Sequence, residues 1–292
     1  KDFNGKNLND IIDIHNAGAL AFTDYSNSNN AELILNTLLY LKQFNGLYLS
    51  IPKYYPISVG SVSESLNSEK VGLKGIPYIS ETIAIKRDLS ILEYTGGKIH
   101  FSGISTKESV ELIRQAKKKG LKVTCDVPVY NLILDDSNIL NFDTNYKVDP
   151  PLRSSDDIDE LVLGIDDGTI DVISSNHQPQ DFDSKNCEFD KASFGIISLQ
   201  TFYSNILELS RKIPFDKLLP TFTSNPRKIL GLDTNKIEEG DFASLTIFDD
   251  KGSWDYNEET NISKSLNSPW LNWSLKGKVK GVVVGKNFNI DG

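Results

Sequence analysis

The chain has 292 residues and a formal net charge of −9, with 39% hydrophobic and 24% charged side chains. That balance suits a globular protein and excludes a disordered or fibrous one. The acidic charge without any long basic stretch argues against nucleic-acid binding, and no apolar run approaches the roughly 20 residues that span a bilayer.

Cys125 and Cys187 lie far apart without a CxxC spacing, which argues against a disulfide framework or a structural zinc knot and for a reducing compartment. No signal-peptide pattern opens the sequence, so the expected location is cytoplasmic. The sequence holds no Met and starts at Lys1. We therefore expect methionines and an upstream segment to be missing from it.

In chain order, Gly18–Thr23 (GALAFT) reads as a short strand, followed by the polar stretch Asp24–Asn30. Ala31–Phe44 carries Leu33, Ile34, Leu38 and Leu41 at helical spacing, and Leu47–Ile51 is the next strand. The pattern returns with a strand at Lys98–Ile104 and a helix at Thr106–Lys119, where Ser105 and Glu108 fit a capping box and Gly120 suits the C-terminal cap. Val110, Ile113 and Ala116 give that helix a buried face, and Lys117-Lys118-Lys119 complement its C-terminal dipole. Leu121–Val127 is a strand, Ser155–Leu163 a helix and Ile170–Ser175 a strand. Such alternation implies parallel strands joined by crossover helices. About five strands can be counted, whereas a closed α/β barrel takes roughly eight; part of the barrel is expected upstream of Lys1. After Gly231 the texture changes, and Phe242–Phe248 and Lys278–Val284 read as strands of a small β appendage.

Four groups of phrases carry the chemistry. They are KVDPPLR at Lys147–Arg153 behind NFDTNY, DDGTIDVISSNHQPQ at Asp166–Gln180, FDKASFGIISLQT at Phe189–Thr201, and NPRKILGL at Asn225–Leu232 followed by GDFASLTIFD and SPW. In this order they resemble the phrases KVNPPLR, DGTIDxIxTDHAP, FxxAPFGIxGLET and NPAxxxGL of the dihydroorotases, cyclic amidohydrolases of the amidohydrolase superfamily. The resemblance runs over nearly the whole chain. It implies an α/β fold: a TIM-type (β/α)8 barrel over residues 1–231, partial at its N-terminal end, with a small β-sandwich appendage formed in part by residues 232–292. It also implies a two-zinc site at the C-terminal ends of the strands, where zinc activates a hydroxide and an Asp shuttles the proton as dihydroorotate and carbamoyl aspartate interconvert.

The metal-binding residues that the resemblance implies are largely replaced. The HxH of the first barrel strand and the lysine that bridges the metals would both lie before Lys1. Where an HAED-like phrase would supply a His, Leu47–Ile51 runs into Pro52-Lys53-Tyr54. In the HxxHxST phrase the first His is His100, but Gly103 stands at the ligand position. Asn176 replaces the catalytic Asp, and an amide is neither a good zinc ligand nor a base at neutral pH. An HH pair has become Tyr130-Asn131, and Asp149 replaces the substrate-contacting Asn, where it would repel an anionic dihydroorotate. His177 matches a substrate-contacting residue, so residual ligand binding there is weighed against a His hydrogen-bonded at a strand end.

Of the rest, His100 is expected to pack or cap structurally, His15 to face solvent, Cys125 to be a buried structural thiol and Arg153 to anchor the PPLR turn. Cys125 and Asp126 are expected to point to opposite sides of one strand. These substitutions favour a non-catalytic dihydroorotase-like protein of pyrimidine biosynthesis with no cofactor, and the resemblance implies a structural role beside aspartate transcarbamoylase in a homo-oligomer. Two alternatives stand beside it: an active dihydroorotase with an altered zinc site, and a small-molecule binding protein using the relic pocket.

Overall fold

The computed structural model describes residues 7–24, 30–234 and 236–290. Of the polar stretch 24–30, residues 25–29 lie outside the described residues. The strands in chain order are β1 (Ala21–Thr23), β2 (Leu47–Ser50), β3 (Val62–Ser63), β4 (Gly75–Ile76), β5 (Ile99–Phe101), β6 (Val123–Pro128) and β7 (Val172–Ser174). Five of them form one parallel sheet in the order β1-β2-β5-β6-β7, while β3 and β4 pair separately. Neighbours in that sheet are successive in the barrel alternation, so each connection crosses over on the outside. Among the described residues β1 and β7 are the edges of the sheet.

The helices that precede or connect these strands are α1 (Ile11–Asn16), α2 (Ala31–Lys42), α3 (Leu66–Val71), α4 (Ile79–Thr95), α5 (Lys107–Lys118) and α6 (Ser155–Asp166). Each long one has a local reason to form. Asn30 caps α2 by accepting from the amides of Glu32 and Leu33, and Ile34, Leu38 and Leu41 are buried beneath it. Ser154 and Asp157 make a reciprocal capping box at the start of α6. In α5, Val110, Ile113 and Ala116 are buried as their spacing predicts. Together with Ile85, Leu92, Phe101, Val127, Leu161 and Ile173 these side chains fill the layer between sheet and helices.

Three differences from the sequence reading have physical causes. The strand at 98–104 ends at Phe101, because Gly103 turns the backbone into the left-handed region at φ +79°. The N-cap of α5 is Thr106, not Ser105: both hydroxyls donate to Glu81 from another helix, and it is Thr106 Oγ1 that also accepts from the Ser109 amide. Helix α4 went unseen because its buried face carries Ser80, Glu81, Thr82, Asp88 and Thr95, which leaves no clean apolar stripe.

Beyond β7 come α7 (Phe182–Lys185), α8 (Phe202–Leu209), α9 (Phe215–Phe222) and α10 (Ser224–Ile229), then β8 (Ser244–Tyr256), β9 (Trp273–Val284) and β10 (Asn287–Ile290). These last three strands form an antiparallel sheet separate from the parallel one, in the order β10-β9-β8. Among the described residues this C-terminal part has one sheet layer rather than two. Tyr256, Trp270 and Leu275 pack against Tyr130, Val148, Leu152 and Ile196. That second core supports the loops that follow β6 and β7 from behind.

Candidate active site

A cavity of about 230 Å³ opens where β2, β5, β6 and β7 end. Its lining includes Pro52 and Lys53 after β2, Gly103 after β5, Asp126 on β6, Asp149–Pro151 and Arg153, and Asn176 and Gln178 after β7. The C-terminal ends of parallel strands are where α/β folds of this kind place their ligands. The sequence-predicted positions Gly103, Asp149 and Asn176 therefore do converge. His177 is not among the cavity-lining residues.

Asp126 ties three strand ends together. Its Oδ1 accepts from the Gly103 amide at 3.1 Å and the Ser174 hydroxyl at 2.8 Å, and its Oδ2 meets His100 Nε2 at 3.1 Å. His100 is buried, and its Nδ1 lies 2.8 Å from Thr124 Oγ1, so both ring nitrogens are engaged in structure, as expected. Cys125, its side chain alternating with that of Asp126, is buried on the other side, and burial pushes its thiol well above the ordinary value. A thiol held protonated is a poor metal ligand or nucleophile. His15 is exposed on α1 and stacks on Phe44 with ring centroids 4.3 Å apart.

Asn176 sits at φ +43° just past β7. Its Nδ2 donates to Tyr130 Oη at 2.7 Å and to the Asp149 carbonyl at 3.0 Å, while its Oδ1 accepts from Gln178 Nε2 at 3.1 Å. Tyr130 Oη in turn donates to the Asp149 carbonyl, and burial raises that phenol above its ordinary value. The Nδ2 side of the amide is thus spent on holding the loop that carries Asp149, and the Oδ1 side on Gln178 of its own loop. Asn176, the residue expected from the resemblance at a proton-shuttle position, acts in this structure as a brace.

Two residues outside the expected site shape its charge. Lys53 Nζ lies 2.7 Å from Asp149 Oδ2 and 5.7 Å from the ring centroids of both Tyr55 and Phe194. Asp149 is therefore neutralised within the chain rather than presented as a bare repelling charge. Glu81, on α4, accepts from the amides and hydroxyls of Ser105 and Thr106, and Arg153 Nη2 lies 3.7 Å from it. Arg153 also donates to the hydroxyls of Ser105 and Ser63 and to the Ile76 carbonyl, so it anchors the PPLR turn as expected. Neither role was legible as a motif: Glu81 lies on the unseen helix, and Lys53 meets its partner 96 positions away.

The donor set does not fit a zinc pair. Among the described residues no three His, Cys, Asp or Glu side chains gather as a metal site. The carboxylates that do face the cavity are held by Lys53, by His100 with two further donors, or by the Glu81 network. Zinc needs imidazole, thiolate or carboxylate ligands. An ammonium beside one of the few carboxylates supplies the opposite.

His177 has a different task. Its Nδ1 accepts from the amides of Ser198 and Leu199, both at 3.2 Å, so those donors assign the proton of the neutral ring to Nε2. Burial holds the ring below the ordinary imidazole value. The unfolded ring protonates near its reference value of 6.5, the folded ring only at lower pH, so in between the unfolded state binds the extra proton. Stability from this group is present above about pH 6.5 and declines as pH falls below it. We expect the unfolding midpoint to drop between about pH 7 and about pH 5, and His177→Gln to flatten part of that slope; identical slopes in the two proteins would contradict the assignment.

No family model matches the chain. Among curated relatives it is similar to the dihydroorotase of Endomicrobium trichonymphae, at 39% identity over 294 residues covering 99% of this chain and 70% of that protein. The dihydroorotase of Geobacter metallireducens is 34% identical over 285 residues, covering 96% of this chain and 67% of its own. That of Carboxydothermus hydrogenoformans is 39% identical over 279 residues, with 94% and 65% covered. The chain thus spans about two thirds of the length of these relatives. Among solved structures, the L-hydantoinase (dihydropyrimidinase) from Arthrobacter aurescens superposes with a TM-score of 0.82 at 20% identity, over 95% of this chain and 66% of that one. The dihydropyrimidinase from Brevibacillus agri NCHU1002 gives 0.80 at 19% identity, over 95% and 65%. At these identities the structural likeness establishes the fold alone: an α/β fold with a parallel sheet and a separate C-terminal antiparallel sheet, matching these hydantoinase and dihydropyrimidinase structures.

Proposed function

The chain belongs to the dihydroorotase family, and from that premise we propose that it is a non-catalytic member whose fold serves pyrimidine biosynthesis as a scaffold. The observation that carries this reading is the cavity at the strand ends. By the resemblance Gly103 and Asn176 stand where a zinc ligand and a proton shuttle are needed, and the Asn176 amide is consumed by Tyr130, Asp149 and Gln178. Gly103 offers no donor side chain, and its backbone lies in the left-handed region at φ +79°. A Cβ added there would sit 3.4 Å from Pro150 Cδ. That is ordinary contact, so restoring a ligand at that position would cost backbone strain rather than space.

In this reading Gly103 supplies no zinc ligand, and the Asn176 amide is no base to take a proton from an attacking water. Asp126, Arg153 and Glu81 instead tie strand ends and loops together. The partner we propose is aspartate transcarbamoylase, in a cytoplasmic assembly of several copies of each chain.

Metal analysis of the protein, combined with a carbamoyl aspartate cyclisation assay, tests the reading. Zinc far below stoichiometry and no turnover are expected. Stoichiometric zinc with measurable cyclisation would establish instead an active enzyme with an altered metal site. Co-elution with aspartate transcarbamoylase on size exclusion is expected for the assembly role, and a lone inert monomer would count against it.

A further inference from the structure

We propose that the cavity at the strand ends is a carboxylate receptor which the chain keeps shut with its own Asp149, with Lys53 as the receptor cation. This rests on the reading that no catalytic metal occupies the site.

Two cations line the cavity, Lys53 and Arg153. Arg153 is spent: it is 3% exposed, and its guanidinium is committed to Ser105, Ser63, Ile76 and Glu81. Lys53 is placed differently. Its ammonium stands between the faces of Tyr55 and Phe194 and meets Asp149 Oδ2 at 2.7 Å. An ammonium flanked by aromatic faces at the edge of a cavity is a receptor for an anion, since the rings hold its position while the remaining side stays open to a charge-assisted hydrogen bond. In this structure that side is filled from within.

The filling group can leave. The Asp149 side chain is 36% exposed, whereas that of Lys53 is 17% exposed. The Asp149 backbone is separately anchored, because its carbonyl is held by Tyr130 and Asn176. The carboxylate can therefore swing toward solvent without moving the loop, while the ammonium stays put between its rings.

A second observation points to a ligand. Ser58 lines the same cavity, and its Oγ is buried without a hydrogen-bond partner. A buried hydroxyl left unpaired is costly unless something in the cavity satisfies it. A small carboxylate carrying a second polar group would answer both demands, pairing with Lys53 and reaching Ser58. An uncharged ligand would answer only the second.

The test compares L-dihydroorotate with 5,6-dihydrouracil, the same ring without the carboxylate, by titration calorimetry. Wild type, Asp149→Asn, Asp149→Ser and the double variant Asp149→Asn with Lys53→Met are titrated, each checked for native circular dichroism. Removing the Asp149 carboxylate is expected to tighten L-dihydroorotate binding at least about tenfold, to leave dihydrouracil unchanged, and to lose its effect once Lys53 is Met. Two Asp149 replacements of different size guard against one of them folding poorly. The proposal is overturned if both folded Asp149 variants bind L-dihydroorotate no better than wild type, if dihydrouracil gains equally, or if the double variant keeps the gain. Zinc content and cyclisation are measured on the same samples. Zinc-free variants that fail to bind refute the receptor alone, whereas stoichiometric zinc with turnover in the wild type refutes the non-catalytic reading on which it rests.

Discussion

Replacing Glu81 by Ala is expected to lower the unfolding free energy by about 3–5 kcal/mol, the range for removing one partner of a buried ion pair. The carboxylate is 3% exposed and takes the amides and hydroxyls of both Ser105 and Thr106, at 2.5 to 3.1 Å. Arg153 Nη2, also on a residue 3% exposed, lies 3.7 Å away. Truncation would therefore strand a buried guanidinium and orphan two amides at the entry to α5. The loss exceeds the worth of the contacts themselves because the groups left behind stay desolvated. For a chain of this size it corresponds to a fall of roughly 10 °C in the melting temperature. Glu81→Gln keeps an acceptor for Ser105 and Thr106 but not the charge, and should lose clearly less. Thermal unfolding of the three proteins decides the matter; a fall of under about 2 °C for the Ala variant would show that Arg153 finds other partners.

The second large effect is at Asp126. Asp126→Ala removes the acceptor shared by the Gly103 amide, the Ser174 hydroxyl and His100, which come from the ends of β5 and β7. Each buried donor left unpaired costs on the order of 1–3 kcal/mol, so a total near 3 kcal/mol is expected. The damage should be local before it is global. Amide exchange at Gly103 should accelerate well ahead of exchange at Phe101, two residues back in the buried strand. Asp126→Asn keeps an oxygen for the first two donors and can present its NH2 to the imidazole, so it should recover at least half of the loss. Equal destabilisation by the two substitutions would mean that charge, rather than hydrogen-bond geometry, holds these strand ends.

Much of the fold was legible because its cause is local. Leu38 and Leu41 on α2 and Ile113 on α5 are buried as helical spacing requires, and the short strands between them read as apolar runs bounded by turn residues. The helix over 79–95 escaped because what it buries is polar, and a buried Glu81 or Asp88 looks like a solvated one until its partners are known. The cap of α5 was misplaced by one residue for the same reason. Ser105 and Thr106 are equally good caps in isolation; a carboxylate from α4 takes both hydroxyl protons, and Thr106 Oγ1 is the one that meets the Ser109 amide.

The site divides along the same line. Which residue stands at each position of these phrases is a property of the chain, so the sequence by itself determined that Gly103 carries no imidazole, Asn176 no acid and Asp149 an extra charge. What those residues do now depends on groups far away in sequence. That the Asn176 amide braces the Asp149 loop through Tyr130, and that Asp149 is answered by Lys53 across 96 positions, was decided only when the strands were brought side by side. A charge or an amide acquires its meaning from the donors and acceptors within about 3 Å of it, and the tertiary structure alone says which those are.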